Sequence, residues 1–122
     1  MGHKIKVTPE QLEYFKARCE EYRKRFGLTN WEVYYVLGKT VGRCVTTAQL
    51  SGYIATISLT KKWDSSVIGS TDKELQKSAK HEMLHLLLAR MSVNANNRFI
   101  QESDLYESEE EVVRMLENLI EG

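Results

Sequence analysis

Apolar residues along this chain follow first a helical period, then a two-residue alternation, then a helical period again. Leu12, Phe15, Cys19, Tyr22 and Phe26 keep one face of a helix, while Lys16, Arg18, Glu20, Arg23 and Lys24 fall on the wet side. The spacing predicts a helix from about Pro9 to Phe26. Thr8 can cap it, Pro9 suits its first position, Gln11 completes a capping box, and Gly27 fits the left-handed residue that ends it.

The period then drops to two. Trp31, Val33, Tyr35 and Leu37 alternate with Glu32, Tyr34 and Val36, and this β-branched and aromatic content predicts a strand closed by Gly38. Two further strands are predicted, from about Arg43 to Gln49 and from about Tyr53 to Thr60, with Gly52 in the turn between them. Short successive connections imply an antiparallel meander. Residues 61 to 70 read as a loop carrying Trp63, and Thr71 with Glu74 reads as a second capping box.

A helix is predicted from about Asp72 to Met91. Its "MLHLLLAR" segment is apolar around most of its circumference, so other elements must cover it on several sides, which makes it the central helix. After the polar "SVNANNRF", a last helix runs to about Ile120 with Val112, Val113, Leu116, Leu119 and Ile120 on one face. Together these elements describe one α+β domain over residues 1–122: an N-terminal helix, a small three-stranded, mainly antiparallel sheet, a central helix and a C-terminal helix.

Composition narrows the function classes. With 122 residues and 42% hydrophobic content the chain can bury one core unaided. No stretch is apolar for the roughly 18 residues a bilayer span needs, and "MGHKIKVTPE" lacks a secretory signal, so a soluble, cytoplasmic protein without a membrane partner is expected. Seventeen basic and seventeen acidic side chains leave no net charge, so no nucleic-acid partner is expected. The charges are unevenly spread, with eleven basic and five acidic residues up to Lys62 and six and twelve thereafter. Cys19 and Cys44 lack ligand spacing and are expected to be free thiols.

"KHEMLHLLLAR" carries the candidate chemistry. On a helix His81 and His85 share a face and can present two imidazole nitrogens to one ion, while Glu82 lies about 100° round, close enough to act as a general base. Two histidines and a carboxylate among leucines cost several kcal/mol unless each finds a partner, and a metal such as Zn2+ supplies one. A di-iron bundle needs a second Glu-x-x-His pair, and His3 is the only other histidine. The longer metzincin pattern fails because Leu88 and Met91 stand where it wants glycine and histidine.

With "HEMLH", a leading helix, the "GLTNWEVYYV" and "YIATISL" strands and a glutamate-bearing last helix, the chain resembles the zincin metallopeptidases. It resembles more closely the small zincin-like domains of the minigluzincin and phage-encoded metallopeptidase type. The resemblance implies a peptide or protein substrate and a cleft rim formed by Tyr53 to Leu59, where an extended peptide can pair. It also implies a third metal ligand from a later helix, where "ESEEEVVRML" offers Glu107, Glu109, Glu110 and Glu111. Helical phase favours Glu109, which precedes Val112, Val113 and Leu116 by three, four and seven residues; Glu110 is the alternative if the helix begins in a different phase. The gluzincin pattern of Asn-Glu with a downstream Asp is absent.

The expected function is therefore a zinc-dependent peptidase in which Glu82 takes a proton from a zinc-activated water and gives it to the leaving amine. Arg98 or Tyr106 can supply a second donor to the oxyanion. The alternative is a zincin-like regulatory or interaction module that keeps the metal without general proteolysis. A DNA-associated protease of the SprT-like kind fits the neutral charge poorly.

Overall fold

A computed structural model describes residues 3–38, 40, 42–65, 71–96 and 102–120. Within them lie β1 (His3–Lys6), α1 (Pro9–Arg25), β2 (Glu32–Gly38), β3 (Cys44–Gln49), β4 (Ile54–Thr60), β5 (Lys62–Ser65), α2 (Thr71–Asn96) and α3 (Glu102–Leu119). The capping box at the start of α1 is present. Gln11 N–H donates to Thr8 Oγ1 at 3.1 Å, and Thr8 N–H donates to Gln11 Oε1 at 2.9 Å. Gly27 takes φ 72° just past the helix, as its missing Cβ allows.

The three-stranded sheet has the order β2-β4-β3 and is mixed, which corrects the antiparallel meander expected from the short connections. β3 pairs antiparallel with β4, whereas β2 pairs parallel with β4 in the register Glu32↔Ile54 to Gly38↔Thr60. The physical reason lies in β4, whose Ala55, Ile57 and Leu59 are essentially inaccessible to water. The most apolar strand gains most from being covered along both edges, so it inserts between two strands with wetter outer faces.

β5 and β1 form a separate antiparallel pair, so part of the expected loop after Lys61 is a strand. Its Trp63 is fully buried. The pairing of these strands joins the two flanks of the α1-to-β4 segment, a long-range contact to which no local pattern points.

Phe15, Cys19 and Tyr22 of α1, Ala55, Ile57 and Leu59 of β4, and Leu75, Ala79, Met83 and Leu86 of α2 form one buried cluster. α2 packs against α1, α3, β3 and β5, which explains why its middle is apolar on several sides. Leu84 and Val113 are also fully buried but stand outside that cluster. Leu84 falls three residues after His81 on the same helical face, so this second buried patch accompanies the α2–α3 contact. The result is a three-helix and mixed-sheet arrangement in which His81, Glu82 and His85 sit on α2 between β3 and α3. No helix among the described residues is long and apolar enough to cross a membrane.

Candidate metal centre

His81 and His85 stand one turn apart on α2, and their rings meet edge to face with centroids 4.9 Å apart. The two Nε2 atoms are 3.2 Å from each other. Glu110 of α3 reaches the same point, with Oε1 2.5 Å from His85 Nε2 and Oε2 3.6 Å from His81 Nε2. Each residue of this trio can offer one ligand atom, all within 4.8 Å of one another.

The far side of each imidazole is also held. Glu117 Oε2 lies 3.2 Å from His81 Nδ1, and Glu109 Oε2 lies 3.0 Å from His85 Nδ1. Carboxylates on both Nδ1 atoms favour the tautomer whose proton is on Nδ1, which turns both Nε2 lone pairs inward. Two lone pairs and a carboxylate then converge on one point. A cation held there would relieve that concentration of electron density, and the His–His spacing is close to the roughly 3.3 Å edge of a tetrahedron built on bonds of about 2.05 Å.

The structure thus brings Glu110 rather than Glu109 to the inner nitrogens, and gives Glu109 to the outer nitrogen of His85. Phase on α3 explains the difference. Among the described residues of that helix Val113 is fully buried while Val112 and Leu119 are exposed, so the inward line runs Glu110, Val113, Glu117 at spacings of three and four. The sequence places Val112, Val113, Leu116, Leu119 and Ile120 together on that face and does not single out Glu117. The spacing of Glu117 from Val113 was the available signal.

Glu82 is buried beneath β3, only 6% exposed, and its Oε1 accepts a hydrogen bond from Thr46 Oγ1 at 2.6 Å. Burial pushes its carboxyl above the ordinary range; the Thr46 hydroxyl and the imidazoles of His85 and His81 pull it partly back, and Glu110 raises it again. A carboxylate with raised proton affinity beside a candidate metal point is suited to taking a proton from water.

β4, expected to form the cleft rim, is covered by strands on both sides, so Tyr53 to Leu59 cannot receive a further strand. The edge strand on the site is β3, which packs on α2 and carries Thr46. A 430 Å3 cavity lies there, with Thr46, Glu82, His85, Tyr106 and Glu110 among its walls. Tyr106, 62% exposed, therefore stands beside the site. Arg98 lies outside the described residues. Cys44 and Cys19 are free thiols, and burial pushes both up, which keeps them protonated.

No family model, curated protein or solved structure matches the chain.

Proposed function

We propose that this chain is a metal-dependent peptide hydrolase, with His81, His85 and Glu110 holding a zinc ion and Glu82 acting as general base. The observation that carries this reading is the convergence of both Nε2 atoms and the Glu110 carboxylate on one point, with each Nδ1 engaged by its own carboxylate. The same donor set also suits ferrous iron. Glu82 supports hydrolysis as the reaction class, because a buried carboxylate beside an ion held there would have a direct use in it.

Bound there, zinc would make a water more acidic and polarise the scissile carbonyl. Glu82 takes the proton from the attacking water and delivers it to the leaving nitrogen, so the amide bond breaks and a carboxylic acid and an amine are released. Glu109 and Glu117 hold the imidazoles in orientation throughout. The outer edge of β3 can pair with an extended chain, which favours a peptide over a compact small molecule.

The test combines metal content with turnover. Zinc-loaded wild type, His81→Ala, Glu110→Ala and Glu82→Gln are analysed for bound zinc and for cleavage of labelled casein and a diverse peptide library. The expected result is one zinc in wild type and Glu82→Gln, loss of zinc in the other two, and cleavage by wild type alone. Undiminished turnover in Glu82→Gln, or full zinc content in His81→Ala, overturns the reading. Zinc binding without cleavage would instead favour a binding module.

A further inference from the structure

Three cavities lie along α2. The one containing Thr46 shares Cys44, His81 and Glu82 with a 360 Å3 cavity at the start of β3, and that one shares Lys77 and Glu117 with a 510 Å3 cavity further toward the helix N-terminus. His81 and Glu82 of the candidate metal centre therefore line two neighbouring cavities, one on the side of Tyr106 and one on the side of Arg43.

The cavities on the two sides of the centre differ in charge. Beyond His85 the walls carry Glu109, Glu110 and Tyr106, with no lysine or arginine among the described residues. On the other side they carry Arg43 and Lys77, then Lys73 and Lys80. The acidic groups on this side are committed. Glu82 accepts from Thr46, Glu117 from His81, and Glu74 meets Trp63 and Arg43. Lys80 donates to the Ile120 carbonyl at 2.7 Å, whereas Lys73 and Lys77 are exposed and form no ion pair among the described residues.

Arg43 is more than a surface cation. Its guanidinium lies over the Trp63 ring at 4.6 Å, and its Nη2 is 3.4 Å from Glu74 Oε2. Trp63 is fully buried and donates its indole N–H to Glu74 Oε1 at 3.2 Å. A rigid aromatic platform and a carboxylate thus hold the planar fork in place, although its side chain remains 39% exposed. An arginine ordered before binding loses less freedom when it takes a carboxylate. Lys77 and Lys73 lie one and two turns before His81 on the same helical face.

We infer that Arg43 and Lys77 form a carboxylate-recognising subsite beside the metal centre, which selects peptides carrying aspartate or glutamate close to the scissile bond on the side facing the start of β3. This inference rests on the peptide-hydrolase reading. Lys73 extends the subsite: eight residues of helix from Lys73 to His81 span about 12 Å, the length of about four residues of extended chain. Acidic residues up to that distance from the cleaved bond contribute to recognition.

The experiment compares two labelled octapeptides that differ only in having glutamate or glutamine at alternating positions. Binding is measured by fluorescence anisotropy on zinc-loaded Glu82→Gln, alone and combined with Lys77→Gln or Arg43→Gln/Lys77→Gln. The expected result is about fivefold tighter binding of the glutamate peptide at about 50 mM salt, shrinking at about 300 mM and absent in the triple variant. Lys77→Gln, at an exposed position remote from the core, is expected to lose part of the preference without a folding defect. Equal affinities, or a preference that survives both added changes, overturn the subsite while leaving peptide hydrolysis intact. Cleavage of both peptides by zinc-loaded wild type is followed in parallel. A glutamate preference in binding with no cleavage of either peptide overturns the hydrolase reading, and with it the substrate-selecting role of these cations.

Discussion

Thr46 Oγ1 donates a 2.6 Å hydrogen bond to Glu82 Oε1, tying the edge strand of the sheet to the residue that would carry the proton. The bond occupies one oxygen of the carboxylate and fixes its rotamer, which leaves the other oxygen for water. Thr46→Val keeps the shape and removes the hydroxyl. Its expected effect is a loss of about tenfold in kcat, a small part of the roughly 10²–10⁴ a general base supplies, with zinc content unchanged. Thr46→Ser should restore most of the rate; equal rates in the valine variant and wild type would show that Glu82 needs no such anchor.

Three glutamates of α3 surround the imidazoles at different nitrogens, so their loss should differ in kind. Glu110→Ala is expected to abolish stoichiometric zinc binding. Glu109→Gln and Glu117→Gln, which meet the imidazoles at Nδ1, should weaken zinc affinity by about 10–100-fold without abolishing it. Competition titration with a chromogenic chelator measures all three. A Glu109 variant that loses all zinc while Glu110→Ala keeps it would exchange their assignments.

Glu82 also predicts a conflict between stability and chemistry in the metal-free protein. Its folded carboxyl is raised, so its contribution is most favourable below the ordinary carboxylate range and turns unfavourable as pH rises through the folded pKa. Glu82→Gln has no charge to bury and can still accept from Thr46. In chelator-treated samples its melting temperature should exceed that of wild type by about 2–4 °C near pH 8, with the advantage vanishing toward pH 4. Thermal melts across that range decide it, and an advantage that grows toward acid would contradict the burial argument.

The opposite sign is expected at Glu20, where α1 meets β2. Burial raises its carboxyl, but bonds from Arg23 at 2.8 and 2.9 Å and from the Tyr35 hydroxyl at 2.6 Å outweigh it and hold the group below its ordinary range. A depressed carboxyl stabilises above the unfolded pKa, and that stability is lost as pH falls through the folded one. Glu20→Gln should therefore melt a few degrees lower at pH 7, with the gap to wild type closing on acidification. A gap constant from pH 7 to pH 3 would show that packing rather than charge is at work.

Much of this was legible from local pattern. The capping box at Thr8, the helical stripe through Cys19, the turn at Gly52 and the shared face of His81 and His85 all depend on neighbours within a few residues, and each is present. What depends on long-range choice was not. Whether β4 would sit at an edge or at the centre depends on competition among strands, and the strand at Trp63 exists only because residues 3–6 return to meet it. The choice between Glu109 and Glu110 turned on about 100° of rotation about one helix axis. Thr46 carried no local signal, since its role comes from β3 crossing α2.

α3 grips the remainder of the protein lightly. It packs chiefly on α2, buries Val113 fully and leaves Val112, Met115 and Leu119 in water. Yet it brings Glu109, Glu110 and Glu117 to histidines of another helix. An ion shared between the two would fasten the last helix to the body, so that metal occupancy and the folding of the C-terminal segment become one equilibrium. Release of the ion and loosening of this helix would then be a single event, in which the protein gives up its reactive centre and part of its architecture together.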